Sequence, residues 1–174
     1  MIYLVRQAET DWNLFKRCNG STETFLNQTG IEQASLQSEN LRHVNFDVCF
    51  CSPQMRTRQT CEIICNEPIV FDDRLIEINC GEFESREETA EMMKSFWQAI
   101  VNGDKGTEKI DDFMNRNFSF CDMIKDNYQG KDLLVVTHAA NVRVIAYYFL
   151  DKPRDYDLSK TPVESGGLMT FENS

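Results

Sequence analysis

An uninterrupted apolar run over residues 1–5 stops at a charge, Arg6, which predicts a strand over residues 1–6 covered on both faces and ending at a polar turn. Gly20 and the run Asn27-Gln28-Thr29-Gly30 mark a loop and a helix entry, after which Ile31, Ala34, Ser38 and Leu41 recur at helical spacing. Residues 46–51 form a second short apolar strand, closed at Ser52-Pro53 because proline cannot donate to a sheet ladder. A helix is predicted over residues 54–65 with Ile63 and Ile64 on its buried side, then a third strand over residues 69–71 closed by Asp72-Asp73. Residues 78–108 lack a clean period, are rich in Glu and are broken by Gly103 and Gly106. They read as an insertion with one helix near residues 90–101. From Ile110, the positions Phe113, Cys121, Ile124 and Tyr128 predict a long amphipathic helix. The clearest buried strand, residues 132–137, runs into His138 and a helix with Val142, Ile145, Ala146 and Phe149 on one face. A last strand is expected over residues 167–171, after a proline-containing turn.

Strands alternating with helices imply an α/β domain of three layers, α/β/α, with a mostly parallel central sheet and helices on both faces. Ligands of such sheets bind beyond the carboxyl ends of the strands, where Arg6 and His138 both fall. With 174 residues the chain is expected to be one domain, 1–174, carrying a short cap insertion at about 78–108.

Composition narrows the partners. Charged residues at 26% and hydrophobic residues at 41% are those of an ordinary globular protein. A net charge of -10 argues against a nucleic-acid or anionic-membrane surface, though a few convergent arginines can still set the local potential of a cleft. No apolar run approaches the ~20 residues that span a bilayer, and no basic segment or signal-type core precedes the first strand. Seven scattered cysteines, several within apolar segments, read as reduced core thiols of a cytoplasmic protein rather than a disulfide framework. With no Cys-x2-Cys and only His43 and His138 as histidines, no metal is expected.

Six short motifs follow one another along the chain. They are Arg6-Gln7-Ala8-Glu9-Thr10 with Asn13; Arg17 followed by Gly20; Thr29-Gly30-x-x-Gln33-Ala34; Cys51-Ser52-Pro53-x-x-Arg56-x-x-Gln59-Thr60; Arg74-Leu75-x-Glu77-x-x-x-Gly81-x-x-Glu84; and Val136-Thr137-His138-Ala139. In this order and spacing they resemble the signature of the histidine phosphatase superfamily, which includes the cofactor-dependent phosphoglycerate mutases. The resemblance covers nearly the whole chain and implies a phosphoglycerate mutase-like fold.

The side chains suit phosphoryl chemistry. Arg6 and Arg56 offer forked, permanently charged donors for the equatorial oxygens, with Asn13 walling the pocket and Arg17 offering a third cationic contact. His138 can donate to the transferring phosphoryl group, and Glu77 is the carboxyl for protonating the leaving alkoxide and then activating water. Glu82 and Glu84 crowd the segment of Glu77, and Glu9 reads as a structural hydrogen-bond partner.

Against the resemblance, Gln7 stands where the nucleophilic histidine belongs. A glutamine nitrogen has its lone pair delocalised into the carbonyl and cannot attack phosphorus. The expected function is therefore a phosphatase of small phosphomonoesters, working through a phosphohistidine and disabled or impaired in this chain. Gln7 is then either an introduced substitution or the mark of a pseudoenzyme. The alternatives are a phosphoglycerate mutase-type phosphotransferase and a non-catalytic phospholigand-binding module. Ala139-Ala140 and Ser85 also replace glycines that the resemblance expects. The implied partner is a small phosphorylated substrate or inorganic phosphate, with no cofactor.

Overall fold

The computed structural model describes residues 1–150 and 157–173. Strands β1 (Ile2–Arg6), β2 (Val48–Cys51), β3 (Ile69–Phe71), β4 (Leu133–Thr137) and β5 (Leu168–Phe171) form one sheet in the order β3-β2-β4-β1-β5. The first four strands of that order run parallel, and β5 joins the β1 edge antiparallel. Part of the proline-containing turn expected before β5 lies outside the described residues.

Period-two alternation divides the strand residues between two layers. Ile2, Leu4, Phe50, Leu133 and Val135 pack with Phe120, Ile124, Val142 and Ile145 from helices α5 (Ile110–Asn127) and α6 (Ala139–Phe149). Val5, Cys49, Cys51, Leu134 and Val136 pack with Leu41, Cys61 and Ile64 from helices α2 (Gln28–Leu41) and α3 (Met55–Ile64). Coverage of both faces is why β1 and β4 read as continuous apolar runs. Each fully buried Leu, Ile or Val contributes about 1.5–3 kcal/mol.

Two departures from the sequence reading have local causes. Ile31 is 42% exposed, because α2 docks through Gly30, Ala34 and Leu41. A Cβ on Gly30 would lie 2.1 Å from the Glu9 carbonyl oxygen, so close backbone approach sets the docking side of the helix. Cys49 and Cys65 are paired sulfur to sulfur within the second layer, where β2 and the end of α3 meet. The expectation of separate thiols therefore covers the other five cysteines, all buried.

The 78–108 segment holds α4 (Ala90–Asn102), which ends at Gly103 in the left-handed region at φ 75°. Phe83, Phe96, Ala99 and Ile100 of this segment meet Cys18, Phe113 and Val144 in a third apolar cluster beside the sheet. Among the described residues no helix is long and apolar enough to cross a membrane.

Candidate active site

Sheet register decides which residues meet. Arg6 lies opposite Thr137 and Cys51 opposite Val136, so β1, β4 and β2 end side by side. The residues that follow, Gln7, His138 and Ser52, share that carboxyl edge. The Gln7 N–H donates to Thr137 O at 2.8 Å and the Ser52 N–H to Val136 O at 3.0 Å.

Arg56 projects from the first turn of α3 and is 1% exposed. Its Nε donates to His138 Nδ1 at 3.2 Å, while Nη1 donates to Thr22 O and Nη2 to Gly20 O. Three of five guanidinium donors are thereby used, leaving one N–H on each terminal nitrogen. Burial lowers the Arg56 pKa, opposed by Glu77, Glu23 and Glu84, and the guanidinium remains charged.

His138, the N-cap residue of α6, is completely buried. Because Arg56 can only donate, His138 Nδ1 must accept, and the ring proton lies on Nε2, 2.9 Å from Ser52 Oγ. Burial holds the imidazole pKa well below its ordinary value, helped by the positive charges of Arg56, Arg116 and Arg6. The ring is neutral.

Arg6 donates through Nη1 to Val163 O at 2.7 Å, and its buried Nε has no protein acceptor. Burial lowers its pKa, with Glu77 the largest opposing charge. Gln7 is 3% exposed, and its Oε1 is likewise buried without a partner. Two unpartnered polar atoms on adjacent residues at a strand end are uncommon, and a polar ligand there satisfies the Arg6 donor directly.

Glu77 is 8% exposed and follows the short 3-10 turn Asp73–Leu75. Its carboxylate accepts from the Ile78 N–H at 2.9 Å and from the Ala140 N–H in the first turn of α6 at 3.4 Å. Burial raises its pKa, against the pull of those N–H groups, Arg56 and Arg6. The crowding by nearby acids resolves structurally, since Glu84 accepts from Gly20 N, Ser21 N and Thr22 Oγ1 and so ties down the 20–22 loop. Glu9 accepts from Asn27 Nδ2 at 3.0 Å.

Arg6 and Arg56 each act electrostatically on both Glu77 and His138. Asn13 is held in a capping box at the start of helix α1 (Asp11–Leu14), where its Oδ1 accepts from Thr10 N and Oγ1. Arg17 is exposed and donates to Ser85 O at 2.9 Å, fixed to the 78–108 segment rather than hydrogen-bonded to the buried groups.

Two neighbours escape the motifs, while Ser52 stands within one of them but has no assigned role there. Arg143 on α6 borders the same cavity as Glu77, and its place one turn and a half beyond His138 was the available signal. Arg116 on α5 donates to Glu77 O and Arg74 O and pairs with Glu108 at 2.7 Å, positioning the Glu77 segment with no local sequence mark. Among the described residues no three His, Cys, Asp or Glu side chains group as metal ligands.

A model of the histidine phosphatase superfamily (branch 1) matches residues 2–170. The chain is 32% identical over 148 residues to the uncharacterized phosphatase PhoE of Bacillus subtilis strain 168, covering 83% of this chain and 74% of that protein. It is 29% identical over 165 residues to the probable phosphoglycerate mutase GpmB of Escherichia coli O1:K1 / APEC, covering 87% and 75%. Among solved structures it is similar to Bacillus stearothermophilus YhfR, with a TM-score of 0.81, 25% identity, and coverage of 96% of this chain and 88% of that one.

Proposed function

The chain belongs to the histidine phosphatase superfamily, and on that premise we propose that its carboxyl-edge cluster binds a small phosphomonoester, with hydrolysis impaired because Gln7 occupies the nucleophile's place. The observation that carries this reading is the convergence of Arg6, Arg56, His138 and Glu77 beside two buried, unpartnered atoms, Arg6 Nε and Gln7 Oε1. Arg6 supplies an unused charged donor, the Gln7 amide and the Asn13 amide supply neutral ones, and Arg56 retains two N–H groups. His138 Nε2–H is already a donor and can turn from Ser52 to a phosphoryl oxygen without a change of protonation.

In a chain with histidine at position 7, phosphorus passes from the ester oxygen to an imidazole nitrogen. Glu77 gives its proton to the departing alkoxide. Water then attacks the phosphohistidine and returns a proton to Glu77, freeing phosphate. A pKa raised by burial suits both halves, because the carboxyl keeps its proton nearer neutrality than an exposed glutamate does. With Gln7 the first transfer has no acceptor, and the expected state is binding without turnover.

The test is hydrolysis of p-nitrophenyl phosphate by this chain and by Gln7→His. Removal of a covalent nucleophile costs on the order of 10³-fold or more, so the histidine variant should gain at least that. No gain, with inorganic phosphate still bound, would favour a non-catalytic phospholigand module.

A further inference from the structure

Glu77 forms one wall of a cavity of about 150 Å³ that continues away from the arginine cluster into the third apolar layer. Its other walls are chiefly Met93, Phe96, Trp97, Phe113, Ala140 and Val144. Phe96, Phe113 and Val144 are 5%, 1% and 1% exposed, while Trp97 is 48% exposed and forms part of the mouth. Asn19, Glu88 and Arg143 are its remaining polar side chains. Glu77 and Ala139, the residue after His138, both line the cavity, which places it beside the proposed phosphoryl site.

We propose, building on the reading above, that this cavity receives the alcohol part of the substrate and selects phosphomonoesters whose alcohol carries one aromatic ring over those of polyols and hydroxy acids. The acid that protonates the ester oxygen must face that oxygen, so whatever is attached to the oxygen enters the space bordered by Glu77. An apolar cavity of about 150 Å³ is the size that holds a benzene ring. Ring walls at Phe96, Trp97 and Phe113 favour edge or offset contacts with such a group. A polyol brings hydroxyls that find few partners there, and each one left unpaired lowers affinity roughly fivefold or more. Ala140 contributes a methyl group where the resemblance expects glycine, which trims the cavity and adds apolar surface.

The test compares benzyl phosphate with glycerol 3-phosphate on Gln7→His, a pair whose leaving alcohols are of similar basicity. Burial of one apolar group in a fitted pocket gives about 10–200-fold discrimination, so kcat/KM for the benzyl ester should be at least tenfold higher, and Trp97→Ala should reduce the ratio. In parallel, the chain as it stands is titrated with benzylphosphonate and methylphosphonate by calorimetry, with at least tenfold tighter binding of the former expected. Turnover of both esters at similar efficiency would overturn the proposed selectivity while leaving the hydrolytic reading intact. No turnover, with benzylphosphonate still preferred, would support the cavity assignment and refute the hydrolytic reading. No turnover and no phosphonate binding would overturn both.

Discussion

Arg56 donates to His138 Nδ1 and cannot accept, so the imidazole presents Nε2–H to Ser52 Oγ and has no free lone pair with which to activate that hydroxyl. A buried serine against a buried histidine would otherwise be a candidate nucleophile pair, and here the tautomer excludes it. Under the proposed function the remaining acid–base group is Glu77, whose proton a leaving alcohol would need in proportion to its basicity. In a Gln7→His background, Glu77→Gln should lower kcat on benzyl phosphate by about 10²–10⁴-fold and lower it far less on p-nitrophenyl phosphate, whose phenolate leaves unaided. Steady-state assay of the two esters checks this. Equal losses on both would assign Glu77 to structure or binding instead of proton transfer.

Among the elements, the loop at residues 20–22 joins Arg56 to the 78–108 segment. Gly20 O and Thr22 O accept from Arg56, and the same loop is fixed from below by Glu84. Gly20 cannot be replaced, since a Cβ there would lie 2.4 Å from Ile78 O. Glu84→Ala should cost about 1–3 kcal/mol in urea denaturation, the range for leaving such donors unsatisfied. It should also weaken benzylphosphonate binding, measured by calorimetry, by loosening Arg56. Strands and helices here were legible because each apolar run matches a face that the fold covers, and the strand-end residues Arg6 and His138 followed from the α/β rule. Ser85, by contrast, sits at φ 65°, the left-handed region that favours the glycine the resemblance expects there, and its own side chain gave no sign of it. What could not be read were contacts between distant segments, such as Arg116 reaching the Glu77 carbonyl, and docking geometry such as the Gly30 approach that turns Ile31 outward. No local pattern encodes these. They depend on how helices settle on the sheet.

For the molecule as a whole, the buried cluster ties stability to pH at both ends. His138 is held neutral with a depressed pKa, so its contribution is intact above the unfolded value of about 6.5 and is lost progressively as pH falls from there toward the folded value. Glu77 acts in the opposite sense: its raised pKa gives stability that is present below the unfolded value and lost as pH rises through the folded one. Thermal denaturation across pH 4 to 9 should therefore show Glu77→Gln more stable than the parent on the alkaline side. It should also show a shallower acid decline in His138→Gln. Parallel curves for parent and variants would mean that neither group titrates differently on folding. Within a chain of net charge -10, Arg56 and Arg143 act electrostatically on Arg6 at the carboxyl edge of the sheet, where Glu77 and Glu88 partly offset them.

The central claim is spatial, and a crystal of this chain soaked in tungstate tests it directly. The tetrahedral oxyanion should bind with its oxygens within hydrogen-bonding distance of Arg6 Nε, the Gln7 amide and His138 Nε2. Tungstate ordered elsewhere on the molecule, with those three groups left uncontacted, would contradict the account.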